Sequence, residues 1–223
     1  MLSYIESMDI ISSLSTPSKM PWYGFSTSAL DCQTGSKLRE VKNSVCSKCY
    51  ACRGNYCFSN VKESHTKRLD ATKDPRFVEA MTTVITTLYN RGKKTYKLNG
   101  KDVKENRFRW HDSGDIQSLE HLEKINQIAI NCHFIDFWLP TKEIGYTNQF
   151  LKKHKEFAPN LTVRVSNPMI GETFKKAPMG LPFSTVNVTD NNIMQCSAPQ
   201  QDNKCLDCRM CWDKDKNVNY KAH

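Results

Sequence analysis

Arg107-Phe108-Arg109-Trp110 runs directly into His111-Asp112-Ser113-Gly114-Asp115. The first four residues alternate charged and aromatic side chains, the two-residue period of a strand. The next five are polar and include a glycine, so the strand stops at Trp110 and a loop begins. The same change recurs three times downstream. Residues 134–139 give way to Thr141-Lys142-Glu143, residues 161–165 to Ser166-Asn167, and residues 184–188 to Thr189-Asp190.

Helical patterns separate these segments. Leu119, Leu122, Ile125 and Ile128 share one face of a helix expected over 118–130, and another is expected over 147–157. Upstream, Asp74 as N-cap and Pro75 as the first helical residue open a helix that carries Phe77, Met81, Val84 and Leu88 inward and stops at Arg91-Gly92. Residues 22–28 read as a short strand. Strands alternating with helices predict an α/β chain, a partial (β/α) barrel of about five to six mostly parallel strands with Cys-rich metal loops. No repeat of fixed period is present.

In such folds, side chains from successive loops converge at the C-terminal ends of the strands. That rule gathers His111, Asp112, Ser113, Gly114, Asp115, Lys142, Ser166 and Asn167 into one candidate site, with His111, Asp112, Asp115 and Lys142 as the candidate catalytic residues. His111 either orients its loop or takes part in proton transfer or ligation. Lys142 follows a very apolar strand and is either a cation for a bound anion, a general acid with a lowered pKa, or a solvated lysine. Arg164, inside a strand, calls for a carboxylate such as Asp112 or Asp136, or for a ligand.

Ten cysteines in 223 residues dominate the remaining reading. Residues 1–20 carry Glu6 and Asp9 and no long apolar run, so the expectation is a soluble, intracellular protein without a membrane span. Thiols stay reduced there, which favours metal ligation over disulfides. One run holds Cys46, Cys49, Cys52 and Cys57, with Cys32 upstream; the other holds Cys196, Cys205, Cys208 and Cys211. Thiolates three residues apart can curl round one metal centre while nearby amides hydrogen-bond the sulfurs. Four cysteines in the second run can complete a shell, either a structural zinc or an auxiliary 4Fe-4S cluster. Lys48, Arg53, Lys204 and Arg209 between the cysteines are poor core residues, which argues against merely buried thiols. Cys132, alone between a helix and a strand, reads as a core thiol.

The organisation expected is therefore a polar leader over 1–20, an α/β core with the first cysteine run over 21–195, and a Cys-rich metal-binding segment over 196–223. The net charge of +9 suits a small molecule bearing phosphate or carboxylate, and also nucleic acid. Lys93, Lys94, Lys97, Lys101 and Lys104 form the densest basic group, in a stretch read as a solvated hairpin or loop.

Cys32-Gln33-Thr34-Gly35-Ser36, Cys46-Ser47-Lys48-Cys49-Tyr50-Ala51, Gly54-Asn55-Tyr56, the 109–115 segment and Cys205-Leu206-Asp207-Cys208-Arg209-Met210-Cys211-Trp212 together resemble the phage "gene product 88" family. That resemblance implies a phage-encoded protein working in the host cytoplasm. A more distant similarity is to radical S-adenosylmethionine proteins, in which three cysteines beyond the first strand hold a 4Fe-4S cluster with one open iron. On that pattern Cys32, Cys46 and Cys49 are the ligands, although the compact Cys-x3-Cys-x2-Cys motif is absent, and Cys52 is the alternative third ligand. The same likeness implies that Ser113-Gly114-Asp115 corresponds in position to the loop receiving the methionine amino group. Asp112 or Asp115 would accept from the ammonium, and Ser166 or Asn167 would bind a carboxylate or ribose. The implied function is a phage iron–sulfur protein with one or two clusters and S-adenosylmethionine as a candidate cofactor. The alternatives are a non-catalytic iron–sulfur redox or host-interaction protein, and a nucleic-acid-binding protein with zinc at Cys196, Cys205, Cys208 and Cys211.

Overall fold

The computed structural model describes residues 2–98 and 100–222. Its helices are α1 (Tyr4–Ile11), α2 (Gln33–Arg39), α3 (Ser59–Ala71), α4 (Phe77–Arg91), α5 (Leu119–Asn131) and α6 (Ile144–His154). Its strands are β1 (Gly24–Phe25), β2 (Thr95–Leu98), β3 (Lys101–Lys104), β4 (Arg107–Trp110), β5 (Asp136–Thr141), β6 (Leu161–Ser166), β7 (Phe183–Val186), β8 (Met194–Gln195) and β9 (Val218–Tyr220). Seven of them form one sheet in the order β1-β4-β5-β6-β7-β9-β8, and every pairing in it is parallel. From β1 to β7 each strand lies beside its predecessor in that sheet, as right-handed crossovers laid in one direction require.

This winding sorts the two faces. Phe108 and Trp110, Phe137 and Leu139, and Leu161 and Val163 join one core with Phe77, Met81 and Val84 of α4 and Leu122, Ile125 and Ile128 of α5. Their alternates, Arg107 and Arg109, Trp138, Thr162 and Arg164, stand on the opposite, inner face, because successive side chains in a strand point to opposite sides. An apolar face under helices and a polar inner face explain why β4 reads as charged and aromatic in alternation.

Several expectations shift by a few residues. The strand expected at 22–28 is two residues of β1, with Ser26 onward already turning away. The helix α4 begins at Phe77 instead of Pro75, because Asp74 spends its carboxylate on the Arg76 N–H at 2.7 Å and forms a turn before the helix. Gly92 does close that helix in the left-handed conformation. The stretch expected to be a polar leader carries α1, whose Ser3 hydroxyl and Glu6 carboxylate exchange bonds with each other's backbone N–H at 3.2 and 2.8 Å. Ile11 of α1 is buried in the core.

At the other end, the Cys-rich segment contributes Val218–Tyr220 to the sheet, where β9 pairs with β7 on one side and β8 on the other. Cys132 is buried in the core, as its isolated position implied. The lysine-rich stretch is the β2–β3 hairpin. Three of its lysines are engaged: Lys94 lies over the Tyr23 ring, Lys104 over the Tyr89 ring, and Lys97 pairs with Asp102. No helix among the described residues is long and apolar enough to cross a membrane.

Candidate functional site

The β1 and β4 strand ends continue to pair past the sheet proper. His111 N–H donates to the Phe25 carbonyl at 2.8 Å, and Thr27 N–H to the Ser113 carbonyl at 3.0 Å. Gly114 lies against Thr27 so closely that a Cβ would fall 2.0 Å from the Thr27 hydroxyl oxygen, and its φ of +85° belongs to the left-handed region. Only glycine fits both conditions. Asp115 is then carried across to β5. Its Oδ1 accepts from the Thr141 hydroxyl at 2.6 Å and the Ile116 N–H at 2.8 Å, and its Oδ2 from the Lys142 N–H at 2.9 Å. Burial raises its pKa to about 6 even though these bonds pull the other way.

The first cysteine run converges on the same corner. Cys32 caps α2, and Gly35 of that helix faces both Cys32 and Cys46. A Cβ at Gly35 would sit 2.9 Å from the Cys32 Cβ and 3.6 and 3.7 Å from the Cys32 and Cys46 sulfurs. Burial, then the neighbouring Asp115, Cys46 and Cys49, push the Cys32 thiol well up. Cys46 is raised by burial and eased by Lys142. Cys32 thus lies near Cys46, Cys49 and Asp115, and Cys46 near Cys49, Asp115 and Lys142. Cys52 lies against Cys49 and also meets Arg39, whose Nη1 lies 3.7 Å from its sulfur, and Cys57 is exposed.

Residues outside the candidate catalytic, cofactor and metal sets hold this corner. The Glu143 carboxylate takes the Thr34 N–H and hydroxyl, both at 2.8 Å, tying α2 to the end of β5. Arg39 donates to the Ala29 carbonyl at 2.8 Å and the Ser36 hydroxyl at 2.9 Å. Ser166 and Asn167 act at one remove from the thiols. Asn167 accepts from the Met169 N–H at 2.9 Å, shaping the loop whose Pro168 carbonyl takes the Val45 N–H at 2.8 Å. Ser166 and Ser184 hydroxyls lie 3.2 Å apart. Glu143 was visible as a polar strand end; nothing local distinguished Thr34 or Arg39.

Polar atoms without a protein partner gather here. Ser26 Oγ, Thr27 Oγ1, both ring nitrogens of His111, Asp112 Oδ1 and Ser113 Oγ are buried and unpaired among the described residues. His111 has a φ of +53°, and its ring meets His121 edge to face at 5.5 Å. Burial, with His121 and Arg109 nearby, holds His111 neutral. Asp112 Oδ2 accepts from the Tyr56 hydroxyl at 2.9 Å, and the Asp112 carbonyl accepts from the Tyr50 hydroxyl.

The second run crosses the inner face. Cys205, Cys196 and Cys211 lie within one another's fields, as do Cys196 and Cys208. Burial raises Cys211 to about 12 despite the Tyr220 hydroxyl 3.2 Å from its sulfur. Arg164 organises this segment, and not through a carboxylate or a ligand as expected. It is 0% exposed and donates to the carbonyls of Lys216 at 2.6 Å, Asp213 at 2.8 Å, Phe183 at 3.1 Å and Cys211 at 3.3 Å. Its planar fork suits several carbonyls arranged around it. Trp212 rests edge-on against Trp138, with centroids 5.3 Å apart, and its carbonyl takes the Thr162 hydroxyl at 2.8 Å.

Two open clefts, of about 520 and 510 Å³, flank this second set, one lined by Arg107, Cys208 and Arg209 and the other by Cys196, Gln200 and Tyr220. Arg107 and Arg209 are already paired, with Asp136 and Glu105. The orphaned buried atoms at the β1 and β4 ends therefore mark the better candidate site. Among the described residues no group of three or more His, Cys, Asp or Glu side chains is disposed to hold a single metal ion.

A singly wound parallel sheet with a cysteine-bearing loop at its strand ends defines the class. The model of the Gene product 88 family matches residues 9–214, and the chain belongs to that phage family. No curated protein and no solved structure is significantly similar to it.

Proposed function

We propose that this protein is an iron–sulfur protein with the sheet curved as a partial barrel. In this reading Cys32, Cys46 and Cys49 hold a 4Fe-4S cluster whose open iron faces the β4 and β5 ends. Cys196, Cys205, Cys208 and Cys211 form a closed supporting set. The observation that carries the reading is the Gly35 cradle: two sulfurs converge on the one helix position with no Cβ to fill the space between them. Such a cluster supplies electron transfer and a coordination position for a small molecule.

The chain's own residues give that position its character. Arg39 lends positive charge beside the thiolates. Asp115, fixed by Thr141 and Lys142, offers a buried carboxylate for an ammonium or hydroxyl group. His111, neutral and without a protein partner among the described residues, offers a nitrogen to a polar ligand. S-adenosylmethionine is the small molecule the distant radical-enzyme likeness suggests.

Anaerobic reconstitution followed by iron analysis, absorbance and EPR tests the proposal. The expected result is iron bound and an EPR signal that changes on adding S-adenosylmethionine. Cys46→Ala should abolish that signal, while Cys57→Ala should leave it. A chain that takes up no iron would overturn the reading. Equal loss on Cys52→Ala and Cys46→Ala would overturn its open site.

A further inference from the structure

Cys52 and Cys57 are the thiols of the first run that the proposed cluster leaves unused. They are not equivalent. Cys52 lies against Cys49, whose thiol is its side-chain hydrogen-bond partner. Its N–H donates to the Cys49 carbonyl at 3.2 Å, closing a turn over residues 49–52. The exposed Cys57 thiol donates to the Cys52 backbone carbonyl at 3.3 Å, so it faces a peptide group and not the Cys52 sulfur.

A turn closed between residues three apart holds their Cα atoms within about 7 Å of each other. A disulfide needs Cα atoms about 4.4–6.8 Å apart and side chains directed at one another. The 49–52 turn and the thiol contact meet both conditions. Cys46 and Cys49 share a similar turn, closed at 3.1 Å, but the Cys46 thiol meets Lys142 and Cys49 as charges.

The surroundings favour exchange at the pair. Burial and the Cys49 charge raise the Cys52 thiol, and the Arg39 guanidinium, 3.7 Å from its sulfur, works against them. Two thiolates held side by side repel, and a disulfide carries no charge. Both thiols are partly open to solvent. Exposed Lys48 and Arg53 flank them and attract an anionic small-molecule disulfide such as oxidised glutathione.

We infer that Cys49 and Cys52 are a redox-active dithiol, modified by exchange with a small-molecule disulfide. One thiolate of the pair attacks the incoming disulfide, forms a mixed disulfide and releases the first small thiolate. The other attacks the protein sulfur of that bond and releases the second. The pair loses two electrons and two protons, and the small disulfide leaves as two thiols. The Cys49–Cys52 bond then withholds Cys49 from the cluster, a consequence that rests on the iron–sulfur reading. The bond itself needs no iron, so its failure and that of the reading are separately visible.

The test incubates the full-length, iron-free chain, purified anaerobically, with graded ratios of oxidised to reduced glutathione. Free thiols are trapped with N-ethylmaleimide, and tryptic peptides are read by mass spectrometry. Cleavage after Lys48 and Arg53 isolates residues 49–53, which contain Cys49 and Cys52 and no other cysteine. The expected result is that peptide unalkylated and short of two hydrogens. Iron uptake at the first run should fall in proportion to the fraction of chain bearing the bond and return with dithiothreitol. A 49–53 peptide without the internal bond, or Cys49 joined to Cys46 or Cys57, would overturn the inference. Uptake that ignores the bond would overturn its effect on the cluster. A reduced chain that takes up no iron would overturn the iron–sulfur reading and leave the dithiol standing.

Discussion

Glu143 and Thr34, 109 positions apart, are joined twice, the carboxylate accepting from both the backbone N–H and the hydroxyl of Thr34 at 2.8 Å. The contact places a negative charge at the start of α2, where backbone N–H groups lack helical partners. It also fixes Cys32, which caps that helix, relative to β5. Glu143→Ala should therefore cost about 2–3 kcal/mol, the range for hydrogen bonds to a buried charge. Cys32 should alkylate faster in that variant while Cys205 and Cys211 do not change. Mass spectrometry after timed iodoacetamide treatment reads both outcomes, and Glu143→Gln should recover part of the protection through its remaining carbonyl acceptor.

Arg164 predicts the opposite locality. Its donors serve carbonyls at Phe183, Cys211, Asp213 and Lys216, so truncation strands several buried acceptors and opens a cavity. Arg164→Met should destabilise the fold by about 3–5 kcal/mol in urea unfolding. Before global unfolding, the Cys205 and Cys211 thiols should become reactive while Cys32 stays protected. Uniform exposure of all these thiols would show that Arg164 does not act through the C-terminal segment.

The strand ends were legible because a parallel sheet buries both faces of its strands, and the change to polar residues after Trp110, Leu139 and Val165 is abrupt. Asp115 was found that way. The inner face was harder. An arginine in a strand implies a partner, but sequence distance hides whether that partner is a carboxylate or a carbonyl, and for Arg164 it is a carbonyl 49 or 52 residues later. The short strand β9 was masked by the polar tail around it, because three residues carry too little period to read. Helix α2 contains Gly35 and only one long apolar residue, Leu38, so its stability comes from Glu143 and not from an amphipathic face.

Gly35 supplies the sharpest local test. Adding a methyl group there puts a carbon 2.9 Å from the Cys32 Cβ, with the two sulfurs just beyond. Alanine is the better helix former, so its intrinsic effect would be stabilising by about 0.5–1 kcal/mol. The clash should reverse that sign and move Cys32 away from Cys46. In Gly35→Ala, iron uptake at the first run should fall while the thiols of the second run keep their native reactivity. Undiminished uptake would remove the cradle as support for the proposed cluster.

The buried Asp115 gives a pH dependence with a definite sign. Its folded pKa of about 6 lies above the roughly 4 of an exposed aspartate, because burial disfavours the charged form. The folded state therefore holds this proton more tightly than the unfolded state. Stability contributed by the protonated carboxyl is fully present below about pH 4 and is lost as pH rises through about 6. The span corresponds to about 3 kcal/mol. Other carboxylates act in the opposite direction, among them Glu123, Asp74 and Asp213, held low by their hydrogen bonds. The native chain must for that reason be compared with Asp115→Asn. Urea unfolding from pH 4 to pH 7 should show the stability of the native chain falling relative to the variant as pH rises. A constant difference would mean that Asp115 is ionised throughout, and the Thr141 and Lys142 hydrogen bonds would then outweigh its burial.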